Sequence, residues 1–163
     1  MSYRNKTYVI FDADTDMKMY RLMTAWKENE KIDFDFYNAH DLNNLRDGSS
    51  EETIKTKLKE RLKNTKQAIV LVGENTKNLY KFVRWEIDVA MSMDIPIIAV
   101  NLCKANGETK NTPPILKNNA YFVSVPFEIK KIKHALDYFP SEYHKNKSKA
   151  PSSRSYDWDK VSI

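Results

Sequence analysis

The sequence is poor in glycine and nearly without cysteine. Its three glycines, Gly48, Gly73 and Gly107, stand too far apart to write a phosphate-cradling Walker loop or a glycine-rich dinucleotide fingerprint. The single Cys103 excludes an intrachain disulfide framework and a thiolate zinc cluster, and it fits a reducing compartment. No segment approaches the roughly 18 consecutive apolar residues of a membrane-spanning helix, and the apolar part of the opening MSYRNKTYVIF is too short for a signal peptide. The expectation is a cytoplasmic chain that does not associate with membranes. Charge of one sign is also missing as a block: 27 Lys and Arg are interleaved with 22 Asp and Glu, for a net charge of +5. Even the most basic segment, Lys55 to Lys66, contains Glu60, follows Glu51 and Glu52, and lacks aromatic residues for stacking. A solvated helix face explains it, and no nucleic-acid partner is expected.

What the 163 residues do contain is an alternation of two patterns. YVIFDA (8–13), AIVLVG (68–73) and PIIAVNL (96–102) are short, continuous apolar runs rich in β-branched residues, the pattern of parallel strands buried on both faces. DFDFYNA (33–39) alternates charged and aromatic residues like a strand near a sheet edge, and AYFVSV (120–125) supplies a fifth strand. Between the runs, apolar residues recur at helical spacing: Met19, Leu22, Met23 and Trp26; Ile54, Leu58 and Leu62; Leu79, Phe82, Val83, Ile87 and Ala90; Ile129, Ile132, Leu136 and Phe139. Ser49 and Glu52 fit a capping box for the second helix, and Pro126 fits the first turn of the last. Strand and helix in alternation predict an α/β fold, an open five-stranded parallel sheet with helices on both faces. One domain is expected over residues 1–140, followed by a polar tail, 141–163, in which YDWD (156–159) offers an aromatic anchor.

Ligands of such sheets bind beyond the carboxyl ends of the strands, where 11–16, 37–50, 73–78 and 101–114 fall. Two kinds of acid draw notice. Glu86 lies on the apolar stripe of the third helix, where a carboxylate is costly unless it is paired, with Lys81, Arg84 or a more distant residue, or used in chemistry. Asp12, Asp14 and Asp16 follow the first strand. A phosphoacceptor site would add an Asp after the third strand and a Lys after the fifth, where this chain has LVGEN and VSVPF; capping of the first helix suits the cluster better. His40, in the long loop after the second strand, is open to a general-base reading and to a solvated one. No metal site is called for.

Placed on these elements, KFVRWEI (81–87), following AIVLVGENTKN (68–78), resembles the TIR-like domains of bacterial Thoeris anti-phage defence, in which a strand ending VLIG leads into a helix of the form WVRYEI. The resemblance extends over roughly residues 5–140, with YVIFDADTDMKMYRLMTAW similar to the family's first strand and helix. It implies a flavodoxin-like sheet and an enzyme that cleaves NAD at the bond between ribose and nicotinamide, with Glu86 as the catalytic carboxylate. NAD would be substrate, with no separate cofactor. Phe11, Asp12, Asp14, Asn38, His40 and Phe82 are the implied substrate contacts, Phe82 standing where the family commonly has Trp. The expected product is a cyclic ADP-ribose-type signal that activates a nucleotide-sensing effector, released after a phage-derived trigger and with self-association completing the site. The alternative is a TIR-like interaction module without catalysis, in which Glu86 is a structural ion-pair partner.

Overall fold

The computed structural model describes residues 7–12, 15–29, 50–78, 82–146 and 152–161, Phe82 in its backbone alone. The expected strand at 33–39 lies outside them. Described in chain order are β1 (Thr7–Ile10), α1 (Met17–Glu28), α2 (Glu51–Leu62), β2 (Gln67–Val72), α3 (Phe82–Ser92), β3 (Ile97–Asn101), α4 (Pro114–Asn119), β4 (Tyr121–Pro126), α5 (Ile129–Asn146) and β5 (Ser152–Arg154). The five strands form one sheet in the order β1-β2-β3-β4-β5, every neighbouring pair parallel. This is the open α/β sheet that the alternating pattern predicts.

The apolar strands are buried on both sides because each side is covered by helices. Val9, Ile69, Leu71, Ile98, Val100, Val123 and Val125 pack with Met23 of α1 and Ile132, Leu136 and Phe139 of α5. Their neighbours of opposite pleat, among them Tyr8, Ile10, Val70 and Phe122, pack with Ile54, Leu58 and Leu62 of α2, Val83, Ile87 and Ala90 of α3 and Leu116 of α4. No helix among the described residues is long and apolar enough to cross a membrane.

Three details depart from the sequence-based expectation. The cap of α2 is Ser50, not Ser49: its hydroxyl accepts from the Thr53 amide at 3.1 Å, so the box begins one residue later and Thr53 occupies the place expected for an acid. Pro126 ends β4 instead of opening a helix. Its register partner is Asn101 and the Phe127 amide donates to the Asn101 carbonyl at 3.1 Å, so the chain completes its pairing with β3 before α5 begins at Ile129. Finally, α5 runs through Pro140 to Asn146, and the boundary expected after residue 140 falls within it. Proline costs a helix one hydrogen bond. Here Tyr143 lies 6.4 Å from the Tyr121 ring and donates to Asp94 Oδ1 at 3.0 Å, which holds the last turns on the domain.

The tail segment packs as well. Ser152–Arg154 pairs with β4, Arg154 meets Glu142, and Trp158 Nε1 donates to Asn106 Oδ1 at 3.0 Å. His134 of α5 sits among Tyr138, Tyr156 and Trp158, so YDWD anchors on its own domain.

Candidate functional site

Tyr8 is the second residue of β1, and strand alternation turns it with Ile10 toward α2 and α3. In α3, Val83, Ile87 and Ala90 face the same layer; Glu86, three residues after Val83 and four before Ala90, is carried inward with them. The result is a carboxyl group only 1 % exposed. The Tyr8 hydroxyl donates to Glu86 Oε2 at 2.6 Å across 78 residues of sequence. Arg61, in the last turn of α2, supplies a nearby positive charge that acts on both groups, and its Nη1 is buried without a hydrogen-bond partner.

Burial is the largest influence on Glu86 and pushes its pKa up from 4.5 to about 8, against the smaller opposing effects of the Tyr8 hydrogen bond and the Arg61 charge. Burial, then the Glu86 charge and the hydrogen bond to it, hold the Tyr8 phenol protonated well beyond its ordinary range. In this closed arrangement burial shifts Glu86 toward its protonated form. Removing that proton leaves an anion flanked by one fixed donor and one guanidinium, a group suited to stabilising positive charge that develops beside it. Between the two helices, Lys55 Nζ lies 2.5 Å from Asp88 Oδ2 and ties α2 to α3 close to Glu86 in sequence.

A second group of acids stands where β1 ends. Asp12, 3 % exposed, accepts from the Thr15 hydroxyl and, at 3.3 Å, from Asn75 Nδ2. Asp16 occupies the N-cap position of α1 without a side-chain capping bond; its carboxyl lies instead against Gly73, where any Cβ would overlap it. Asp16 Oδ2 is buried without a hydrogen-bond partner, and its pKa is raised by burial first, then by Asp12 and Glu74. Thr76 pins the adjoining exit of β2, accepting from the Gly73 amide at 2.9 Å and donating to the Leu71 carbonyl at 3.2 Å. No group of three or more His, Cys, Asp or Glu suited to a metal ion occurs among the described residues.

Of the residues singled out from sequence, Glu86 and Asp12 are buried polar groups, on α3 and at the end of β1. Phe11 is turned into the opposite layer, where it stacks on Tyr20 at 4.5 Å with the rings 8° from parallel; its place is in the α1–α5 core, away from the Glu86 layer. Asp14, Asn38 and His40, and the side chain of Phe82, lie outside the described residues. Sequence reading passed over Tyr8, Arg61 and Asn75. Two of them left a signal: Tyr8 shares the pleat of Ile10, and Arg61 follows the buried Leu58 by three residues, so both border the layer into which Glu86 points.

The family model described as Thoeris protein ThsB, TIR-like domain, matches residues 8–107. That span runs from Tyr8 through α1, α2 and α3 to the loop beyond β3, and so includes every described polar group placed around Glu86 and Asp12. More than half of the chain is matched, and the protein belongs to the TIR-like domain family of the Thoeris defence protein ThsB.

Proposed function

We propose that this TIR-like domain cleaves NAD between ribose and nicotinamide, and that Glu86 is the group that makes the cleavage fast. The observation that carries the reading is the burial of Glu86 in an otherwise apolar layer, hydrogen-bonded to Tyr8 beside Arg61. Such an arrangement costs stability, and residues retained against that cost are concentrated at functional sites.

The chemistry asks for little more than one carboxylate. Nicotinamide is already cationic at the bond to be broken, so it leaves as a neutral amine and takes the bonding electron pair with it. Positive charge then develops on the ribose, and an anion fixed beside it stabilises the oxocarbenium-like transition state. Glu86 in its deprotonated form would accept from the ribose hydroxyls, with Tyr8 fixing its second oxygen. Asp12 and Asn75, with Asp14, Asn38, His40 and Phe82 from the sequence reading, would line the substrate. Phe11, stacked on Tyr20, would support the β1 exit from behind. Water attacking the cation gives linear ADP-ribose; a hydroxyl of the same molecule, folded back where water is excluded, gives a cyclic product. We favour the cyclic product as a diffusible signal to a nucleotide-sensing effector in the cytoplasm.

At 1 % exposure Glu86 meets substrate only once its surroundings open. This supports a latent enzyme, switched on by infection through self-association. The same burial is what a structural ion cluster in a non-catalytic interaction module would show. The deciding experiment follows nicotinamide release and nucleotide products for the wild type and Glu86→Gln, as purified protein and in infected cells. Turnover present in the wild type and lost in the variant is expected. If neither protein changes NAD under any trigger while partner binding survives, the interaction module is the correct reading.

A further inference from the structure

While Glu86 faces Tyr8 and Arg61, the neighbouring Val83, Arg84 and Ile87 border a cleft of about 370 Å³ that separates α3 and the Thr76–Asn78 turn from α4. The cleft falls in the size range of small-molecule sites, ~300–1,000 Å³. It opens at the carboxyl end of β2, the edge at which parallel α/β sheets receive ligands.

Its lining divides by chemistry. Its apolar part is formed by Ile115 and Pro114, which are open to the cleft, with Pro113, Val83 and Ile87 bordering it as buried side chains, a surface suited to one face of a flat ring. The rim is cationic. Lys77 is held across the mouth by donating from Nζ to the Lys110 carbonyl at 3.1 Å, and Arg84 has neither an ion pair nor a hydrogen bond among the described residues. Asn78 and Asn118 add amides that can donate and accept, and none of the described residues lining the cleft is acidic. In a chain whose lysines are otherwise interleaved with acids, a pocket with two cations and no described carboxylate selects for anions. An unpaired guanidinium offers a phosphate two parallel hydrogen bonds.

We propose that this cleft binds a nucleoside phosphate, the phosphate on Arg84 and Lys77 and the base against Ile115 and Pro114. The site is separate from the one around Glu86 and does not require NAD cleavage. A ligand seated there meets the helix that carries Glu86 at Arg84, two residues away, and thus has a direct route to its position.

The test uses the full chain as Glu86→Gln, which keeps the side-chain shape and removes turnover from the measurement. Calorimetric titration with AMP, and with inorganic phosphate alone, is paired with amide chemical-shift mapping. Saturable AMP binding is expected, with inorganic phosphate markedly weaker and shifts concentrated at 76–78, 83–87 and 113–119. Adding the exposed Arg84→Glu change weakens AMP binding about tenfold or more while the circular dichroism spectrum is unchanged. Lys77→Gln, also at the surface, weakens it less. The proposal is overturned if AMP does not bind at millimolar concentration, if the shifts fall around Tyr8 instead of α4, or if Arg84→Glu leaves the affinity unchanged. Phosphate binding as tightly as AMP would overturn the nucleoside assignment as well, because the apolar wall would then contribute nothing. Since none of these readouts needs a catalytic event, they stand or fall independently of NAD cleavage.

Discussion

The two layers that cover the sheet are built differently. On the α1–α5 side, Phe11, Tyr20, Phe127, Phe139 and Tyr143 join aliphatic residues in a continuous apolar layer, with Trp26 packed over Phe127 at 5.0 Å. On the side of α2, α3 and α4 the residues are mainly aliphatic, and among them stand Glu86 and the hydroxyl end of Tyr8, with the Arg61 guanidinium close by. The first layer gains stability from almost every side chain it contains. The second gives some of that up to hold a carboxyl group away from water, and under the proposed function it is the side that would carry the chemistry.

The sharpest way to break this comparison is to exchange Glu86 for Gln. Nicotinamide release should fall about 1,000-fold or more, the scale expected when a fixed charge-stabilising group is lost. The same change should raise stability in alkaline solution. Because the folded pKa of about 8 lies above the reference 4.5, the folded state binds more protons than the unfolded state between those values, and wild-type stability drains away as pH rises through that window. Thermal melts at several pH values should show a steeper decline between about pH 4.5 and 8 for the wild type than for Glu86→Gln. Equal slopes would mean that Glu86 is not buried in solution.

The opposite layer should behave in reverse. Leu136→Ala, deep in the α1–α5 core, should cost about 3 kcal/mol in urea unfolding while activity per folded molecule is retained. A loss of turnover as large as that of Glu86→Gln in protein shown to be folded would end the assignment of chemistry to one layer.

A finer test lies in Tyr8→Phe. Removing the hydroxyl takes away a bond that favours the ionised carboxylate, a change worth about 1.5 kcal/mol, or about one pH unit. The acidic limb of the kcat/KM profile should therefore move to higher pH than in the wild type. An unmoved midpoint would show that Tyr8 does not set the charge of Glu86. Smallest of all, Ser50→Ala should remove the cap of α2 at a cost of about 1 kcal/mol and leave the pH profile where it was, because the cap is remote in the helix from Arg61.

How far the sequence could be read depended on the range of the interaction involved. Strand runs at 68–73 and 96–102, the stripe of α2 and the Val83, Ile87 and Ala90 part of the α3 stripe were legible because burial on a pleat or a helix face imposes a local period, whereas in α1 Leu22 of the expected stripe is exposed and Tyr20 is buried beside Met23. Boundaries were less so. Ser49 and Ser50 are chemically equal candidates for a cap, and only the turn actually formed distinguishes them. Pro140 reads as a terminator, yet contacts of Tyr143 with Tyr121 and Asp94 carry α5 past it. The polar segment after it contains too little apolar surface to announce β5, whose place depends on the open edge of β4 and on the Arg154–Glu142 pair.

The site divides in the same way. By itself the sequence determined that Glu86 would face inward, since a position three residues after one buried residue and four before another shares their side of any α-helix. It determined the family as well, through a motif confined to neighbouring residues. Only the tertiary structure decided what meets that carboxyl group. Tyr8 comes from the first strand and Arg61 from the end of the second helix, and no local period links either to residue 86. Their convergence, the exclusion of water and the resulting hold on a proton arise from three elements packing into one layer. The turning of Phe11 toward Tyr20 was settled there too, because the pleat assigns a side chain to a face while the surrounding helices determine what that face contains.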